Sequence, residues 1–527
     1  MRWGLTRCAG ALLSIGLVLL AGGAATAQRG GGTLRVALVD APRSFSILEE
    51  ENPATIWPAL PLYNSLLSHD PERRLDSGEQ LRGELAESWS WSADRLRLTL
   101  RLRRGVRWHD GRPFTSADVQ HTFELVRGRP ERPLAASPRR GWYGAVERIA
   151  TDGNDGVIFL LRRPQPGLLS LLASGLAPIY PAHVAPAEMR THPVGTGPFR
   201  LREFAPGRSI VLERNPFYFV KDRPYLDGIV YTVYPDRAAA GEALVSGAAD
   251  LTAPGVGTPA LLALARSRNL KVQEVGSGLA HQVILNPARA PLNDRLVRQA
   301  LNLALNRKRM IRDVLGGLGV AGGALPPPPY GEWGLTEDAL RPLAGFGDAS
   351  EEQASARRLL AEAGYPPRRP LRLVLTTRAD PAPRATADWV LGALRAVGVE
   401  ASVEPLEPPA WRARLARREF AVAVDVVALG AEDPDAVLGA YFRCPDRRGR
   451  HCNPELEAAL DRASMEADPA RRKALVRAVD LRLQTEAGRL TLAHPLDALL
   501  HSPAMQGLVA HHNRFSYGRM QDVWLGQ

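Results

Sequence analysis

The run from Gly83 to Val126, GELAESWSWSADRLRLTLRLRRGVRWHDGRPFTSADVQHTFELV, constrains the fold more than any other part of the chain. Arg95 to Arg103 alternates Leu with Arg or Thr, the period-two pattern of a strand with one buried face. Asp110-Gly111 is turn chemistry, because glycine accepts the positive φ of a tight reversal. Thr115 to Asp118 reads as a capping box, in which the hydroxyl and the acid three residues on satisfy free amides at a helix start. Strand, reversal and capped helix in close succession predict a mixed α/β fold.

The rest of the chain carries shorter signals in a fixed order. LRVAL after Thr33 predicts a short buried strand, followed by a polar segment from Pro42 to Pro53. Trp57 to Leu67 predicts a helix ending in YNSLLSHDP. Arg139 to Val146 and Val157 to Leu161 predict further strands, and Gly167 to Ala173 a helix. Then come PVGTGPF (193–199), NPFY (215–218), PYLDGI (224–229), GAADL around Asp250, and PLNDRLVRQALNLALNRKRMI from Pro291. LLAEAGYP (359–366), AVGV (396–399) and NPELEAAL (453–460) complete the set.

Together these motifs resemble, in order and over essentially the whole chain, the extracytoplasmic solute-binding proteins of family 5, the peptide/nickel class of ABC-importer receptors. The resemblance implies a two-lobed periplasmic-binding-protein fold of the class II type, α/β throughout, with an extra subdomain inserted in the first lobe. The first lobe would comprise 28–47, 196–280 and 492–527, the extra subdomain 48–195, and the second lobe 281–491. It further implies a monomer without cofactor or catalytic activity. A peptide or peptide-like solute would be enclosed by hinge closure and passed to an inner-membrane permease with its coupled ATPase. The alternatives are a non-peptide cargo (an opine, an amino-sugar oligomer or a metal chelate), a secreted hydrolase, or a receptor feeding a membrane sensor.

Met1 to Ala27 agrees with an extracytoplasmic destination. Arg2 and Arg7 precede an apolar run from Leu12 to Ala21, and Ala25-Thr26-Ala27 is a small-residue cleavage site. The run is too short to span a bilayer, so it reads as a signal peptide, with the mature chain starting near Gln28. Cys8 lies ahead of the apolar core and so is not a lipid-bearing cysteine. Cys444 and Cys452 remain, separated by PDRRGRH, and in an oxidising compartment they read as a disulfide. A metal site adding His451 is the poorer alternative, with three crowded ligands and no fourth. The formal charge of +11 suggests nucleic acid only if clustered on one face. Here arginines alternate with acids along the helices, as in Arg471 to Arg482, so solvated faces explain it.

Catalytic patterns are missing. HExxH, GxSxG and Walker A sequences do not occur, and His109-Asp110 are neighbours whose side chains point apart on a strand end. Gly317, Gly319 and Gly322 fit GxGxxG, but a helical run from Asn306 to Leu315 precedes them and Pro326-Pro327 follow, so they form a helix-terminating loop. For ligand binding, the resemblance points to Val426 to Phe442, VVALGAEDPDAVLGAYF. Peptide-binding members carry an aspartate there that pairs with the ligand's ammonium; the matching position is Gly430, and the nearest acids are Glu432 and Asp433. An unpaired buried ammonium costs several kcal/mol, so ordinary peptides would be lost unless Glu432 reaches in. Arg384 stands where some dipeptide-binding members grip the ligand carboxylate, a bidentate task suited to arginine, and equally at a solvated helix start. Phe45, Trp142, Tyr143, Trp333 and Trp411 are the aromatic candidates, about two of them for the cleft and the rest for the core, and His281 is a further candidate.

Overall fold

A computed structural model describes residues 30–526 except 51, 71, 74–79, 129–136, 432 and 444–452. The leader, Glu432 and the Cys444–Cys452 pair therefore lie outside the described residues.

The organising stretch folds as its pattern dictates. Arg97–Leu102 buries Leu98, Leu100 and Leu102, while Thr99 is half-buried and Arg97 and Arg101 are exposed. It lies inside a four-stranded antiparallel sheet, flanked by Ala86–Trp91 on one side and Gly156–Leu161, then Val146–Asp152, on the other. Gly111 takes φ +85° at the reversal. Helix Ser116–Arg127 opens with the capping box, Thr115 N–H donating to Asp118 Oδ2 at 2.8 Å, and closes on left-handed Gly128. Its Phe123 packs edge-on against Phe159 of the sheet, with ring centroids 5.1 Å apart.

Two local expectations are corrected. Instead of a helix over 57–67 there is a helix at Pro53–Ala59, a 3₁₀ turn at Leu60–Leu62 and a strand at Leu67–His69. Pro61 has no N–H to give an α-helix, which accounts for the tightening into the short turn. Arg139 to Val146 is mostly not strand: Arg140–Tyr143 forms a 3₁₀ turn and the strand starts at Val146. Trp142 and Tyr143 are adjacent and both buried, which a pleated strand with one buried face does not permit.

The large mixed sheet explains how the chain makes two lobes. On one side Thr33–Leu38 runs parallel to Gly228–Val233, which continues antiparallel into Ser209–Arg214 and Phe199–Ala205. On the other, Arg372–Arg378 lies parallel between Glu400–Leu406 and Val422–Ala428, and the last of these pairs with Leu279–Leu285. The long strand Arg489–His501 joins the two halves. Its first part pairs with Leu279–Leu285 and its last with Lys271–Gly276, so both connections cross from lobe to lobe side by side. Gly278, at φ +67°, breaks the first crossing strand at that point.

The apolar cores follow this division. Leu34, Trp57, Phe123 and Phe515 belong to one continuous core shared by the first half-sheet and the four-stranded subdomain. Val283, Leu301, Val390 and Leu490 belong to a separate core in the second lobe. A third cluster, with Trp333, Leu429, Val437 and Leu460, lies on the second lobe's side of the junction. Among the described residues, no helix is long and apolar enough to cross a membrane.

Candidate ligand cavity at the lobe junction

Where the two strands cross, the chain leaves about 540 Å³ of space unfilled, part of it open to solvent. Five stretches wall it: 276–279 and 494–496 of the crossing strands, Val320 with 325–326 and 330–333, 429–431 with Val437, and 512–513 near the C-terminus. Its lining, largely apolar with a few polar groups, has the composition of a small-molecule cleft.

The wall at 320–333 depends on glycine. Helix Arg307–Leu315 ends on left-handed Gly316, and Gly319–Val320 then pairs with Pro495 and His494. A Cβ on Gly322 would lie 2.7 Å from His494 Cδ2, and one on Gly323 2.3 Å from Asp480 Oδ2. Gly322, the last glycine of the GxGxxG pattern, and its neighbour Gly323 therefore serve close backbone approach at the cavity wall. His494 Nε2 lies 3.1 Å from Gly323 O, and burial pushes its imidazole down to about 4, so it is neutral at pH 7.

Asp480 anchors the same loop by accepting from Ala324 N–H at 2.8 Å and from Gln484 Nε2 at 3.0 Å. Burial pushes its carboxyl up to about 6. The folded chain thus keeps a proton that the unfolded chain releases near pH 4, and the stabilisation this gives is lost as pH rises through 6. Asp480→Asn is expected to be about 2 kcal/mol more stable than the parent at pH 7.5, with the gap narrowed to about 1 kcal/mol at pH 4.5 and closed below about pH 4. Urea unfolding of both proteins at the two pH values measures this, and a constant gap would exclude titration of Asp480 as its source.

The segment after strand Val422–Ala428 is the tightest part of the wall. Gly430 has φ +78°, and a Cβ there would lie 2.8 Å from Trp142 Cζ2. Trp142 of the subdomain thus occupies the space a side chain at 430 would need, while Asn513 Nδ2 donates to Gly430 O at 3.2 Å. Asp433 caps helix Pro434–Phe442 and takes both Arg472 nitrogens, at 2.8 and 2.9 Å, in a fully buried pair. Asp435 accepts from Gln165 Nε2 of the subdomain at 3.3 Å and from Ser464 Oγ at 3.0 Å. The Arg472 guanidinium lies 4.9 Å from the ring centroid of Trp333, a cavity residue.

The structure thus brings Trp333 and Gly430 together at the cavity, with Trp142 against Gly430 and Asp433 one contact away through Arg472. The other candidates lie elsewhere. Arg384 is on the surface of helix Pro381–Arg395, paired with Asp388 at 2.9 Å. His281 is buried on its strand with Nδ1 2.7 Å from Thr386 Oγ1, and burial pushes its imidazole down to about 4, aided by nearby His494. Phe45 packs edge-on against Phe204, Tyr143 against Phe123, and Trp411 with Ile284 and Phe420. His109 and Asp110 do diverge: the first bonds to Gly195 and Gly197, the second to His183 at 2.7 Å. Tyr330, His512 and Asn513 line the cavity without having been singled out. Tyr330 and His512 face each other edge-on with centroids 5.0 Å apart, and Gly276 N–H donates to His512 Nδ1 at 3.2 Å. Their only sequence signals were a proline run before Tyr330 and the polar run HHN. Among the described residues, no group of three or more His, Cys, Asp or Glu could hold a metal ion.

Comparison with known proteins agrees with this architecture. The family described as bacterial extracellular solute-binding proteins, family 5 Middle, matches residues 80–449. Di/tripeptide-binding protein 2 of Pseudomonas aeruginosa (strain UCBPP-PA14) is 28% identical, covering 92% of this chain and 94% of its own. The dipeptide-binding protein of Escherichia coli (strain K12) is 24% identical, covering 83% and 84%. Among solved structures, the Helicobacter pylori periplasmic binding protein DppA in complex with the peptide STSA superposes with a TM-score of 0.79, at 23% identity over 95% of this chain and 99% of that one. AgaA of A. tumefaciens R10 in complex with agropinic acid gives 0.78, at 21% identity over 94% and 99%. At such identities the superpositions establish the shared fold.

Proposed function

This chain belongs to the bacterial extracellular solute-binding proteins of family 5, and from that premise we propose that it is a periplasmic receptor delivering a peptide or peptide-like solute to an ABC importer. The observation that carries this is the cavity at the strand crossing, whose walls come from both lobes: Asn513 and His512 from one, Gly430 and Trp333 from the other. A site divided in this way is completed only when the lobes close, so ligand binding and closure are one equilibrium. In this reading lobe I is 28–47, 196–280 and 492–527, its subdomain 48–195, and lobe II 281–491. The leader at 1–27 exports the chain, Cys444 and Cys452 close a disulfide loop, and the closed monomer docks on an inner-membrane permease with its ATPase. The relatives named as di- and tripeptide-binding proteins support the peptide cargo.

A second reading, a non-peptide cargo, is favoured by Gly430 and the Trp142 ring against it, which leave that position without a carboxylate. Native mass spectrometry of protein purified from its own periplasm, with identification of what denaturation releases, separates the two. Affinity of about micromolar or better keeps ligand bound through purification. A ladder of short-peptide masses is the expected result. A single non-peptide mass would move the assignment to the second reading and leave the receptor role intact.

A further inference from the structure

Gly167 caps helix Leu168–Ala173 at φ −63° and ψ −12°, a right-handed conformation open to any residue, so its own backbone does not call for glycine. The call comes from the second lobe. A Cβ at 167 would lie 2.6 and 2.7 Å from the two Asp433 carboxylate oxygens and 2.8 Å from Arg472 Nη2. The subdomain's backbone therefore lies directly on the buried ion pair of the other lobe.

Further contacts extend this approach. Gln165 Nε2 donates to Trp142 O at 3.0 Å within the subdomain and to Asp435 Oδ2 at 3.3 Å across the boundary. Arg163 Nη1 lies 3.5 Å from Ser464 Oγ and 3.6 Å from Asp461 Oδ1. Helix Pro434–Phe442 packs against the turn Arg140–Tyr143, and Ala431 and Ala436 enter the first lobe's apolar core. With the Trp142 ring against Gly430, these contacts make one seam between subdomain and second lobe, and Gly430 and Ala431 carry it to the cavity wall. Trp142, Gln165, Asp433 and Arg472 are all buried. Opening about the two crossing strands would part the seam, return these groups to water and break the Gln165–Asp435 bond, so the seam itself favours closure.

We infer that this seam is the clasp holding the two lobes together, that it holds them without help from a solute, and that Gly167 is the positioning residue whose missing side chain lets it close. The inference rests on the receptor reading above and specifies what its closure is made of. Spin labels on bio-orthogonal residues at exposed Arg148 of the subdomain and Ala467 of the second lobe report the distance across the seam by pulsed electron paramagnetic resonance. The ligand-free parent is expected to show mainly the short distance. Gly167→Val, a wedge against the Asp433–Arg472 pair, should cut the short-to-long population ratio at least about ten-fold. Gln165→Leu, of similar shape but without the donors, should cut it about three-fold. In calorimetric titration with Ala-Ala-Ala, Gly167→Val should bind at least about three-fold more weakly than the parent, because affinity falls with the closed fraction. Position 167 is outside the cavity lining, so a lost solute contact would not account for that. A ligand-free parent showing only the long distance overturns the inference. So does Gly167→Val, folded as judged by circular dichroism, with the parent's distances. Should the valine variant not fold, Gln165→Leu decides in the same way. If Ala-Ala-Ala does not bind the parent, the peptide cargo is put in question, while the distances still decide the clasp.

Discussion

Gly195→Ala is expected to cost about 3 kcal/mol or more of unfolding free energy, although it adds a single methyl group. A Cβ at 195 would lie 1.8 Å from Leu62 O, and one at Gly197 2.3 Å from Leu62 C, so in both cases backbone has to move. The approach is close because four separate segments are bonded there. Gly197 N–H donates to Leu62 O at 3.0 Å, and His109 N–H donates to Gly195 O at 2.9 Å. Gly195 N–H returns to His109 Nδ1 at 3.1 Å, which leaves the imidazole proton on Nε2, 3.2 Å from Gly197 O. Asn215 Nδ2 donates to that same carbonyl at 2.8 Å, and Thr196 Oγ1 donates to Asn64 Oδ1 at 3.1 Å. Separating the strands of this knot to admit a methyl group leaves several of these buried groups unpaired. Gly392→Ala is the control: it lies within helix Pro381–Arg395 with nothing near its Cβ position, and should be neutral or stabilising by about 0.5–1 kcal/mol. Urea unfolding of the two variants decides the matter, and a loss at Gly195 no larger than about 1 kcal/mol would show that the backbone there relaxes freely.

The same knot shows why so much of the fold was legible and so little of the cavity. WHDG, PVGTGPF, NPFY and YNSLL stand out as sequence because each contributes a special backbone conformation or a buried polar side chain, and all four meet at one place outside the lining of the junction cavity. Their requirements are local, and so is a strand's alternation or a helix cap. The cavity's residues obey no local rule. Tyr330, His494 and His512 arrive singly from three segments joined only by the crossing of two strands, and nothing in the spacing of residues encodes that crossing. Asp433 shows the opposite failure. It reads as a carboxylate ready for a ligand until Arg472, thirty-nine residues on, takes both its oxygens. Trp142 falls within the strand that the pattern predicts over Arg139 to Val146, and among the aromatic cleft candidates. Its place against Gly430 depends on how the subdomain meets the second lobe, which local pattern does not report.

Asp433→Ala is expected to destabilise the protein by about 3–5 kcal/mol, the usual consequence of leaving one member of a buried ion pair alone. Both side chains are almost wholly enclosed, at 6% exposure for Arg472 and 1% for Asp433. Arg472 would keep Asp435, at 3.5 Å, as its one close carboxylate among the described residues, beside the Ala463 carbonyl at 3.3 Å, and helix Pro434–Phe442 would lose the cap that Asp433 provides to Asp435 N–H at 2.9 Å. Most of the loss should come from the stranded guanidinium. Arg472→Met in the Asp433→Ala background is therefore expected to recover a large part of the stability, since an apolar chain of similar length needs no partner there. Asp435 can tolerate the change: burial already raises its carboxyl above the ordinary aspartate range, and Ser464 and Gln165 still bond to it. A double-mutant cycle by urea unfolding should give a coupling of at least about 2 kcal/mol between the two residues. Additive losses would mean that the helix cap and lost packing carry the effect, and that the pair contributes geometry, holding Trp333 and the second lobe's wall in place, with little net stability of its own.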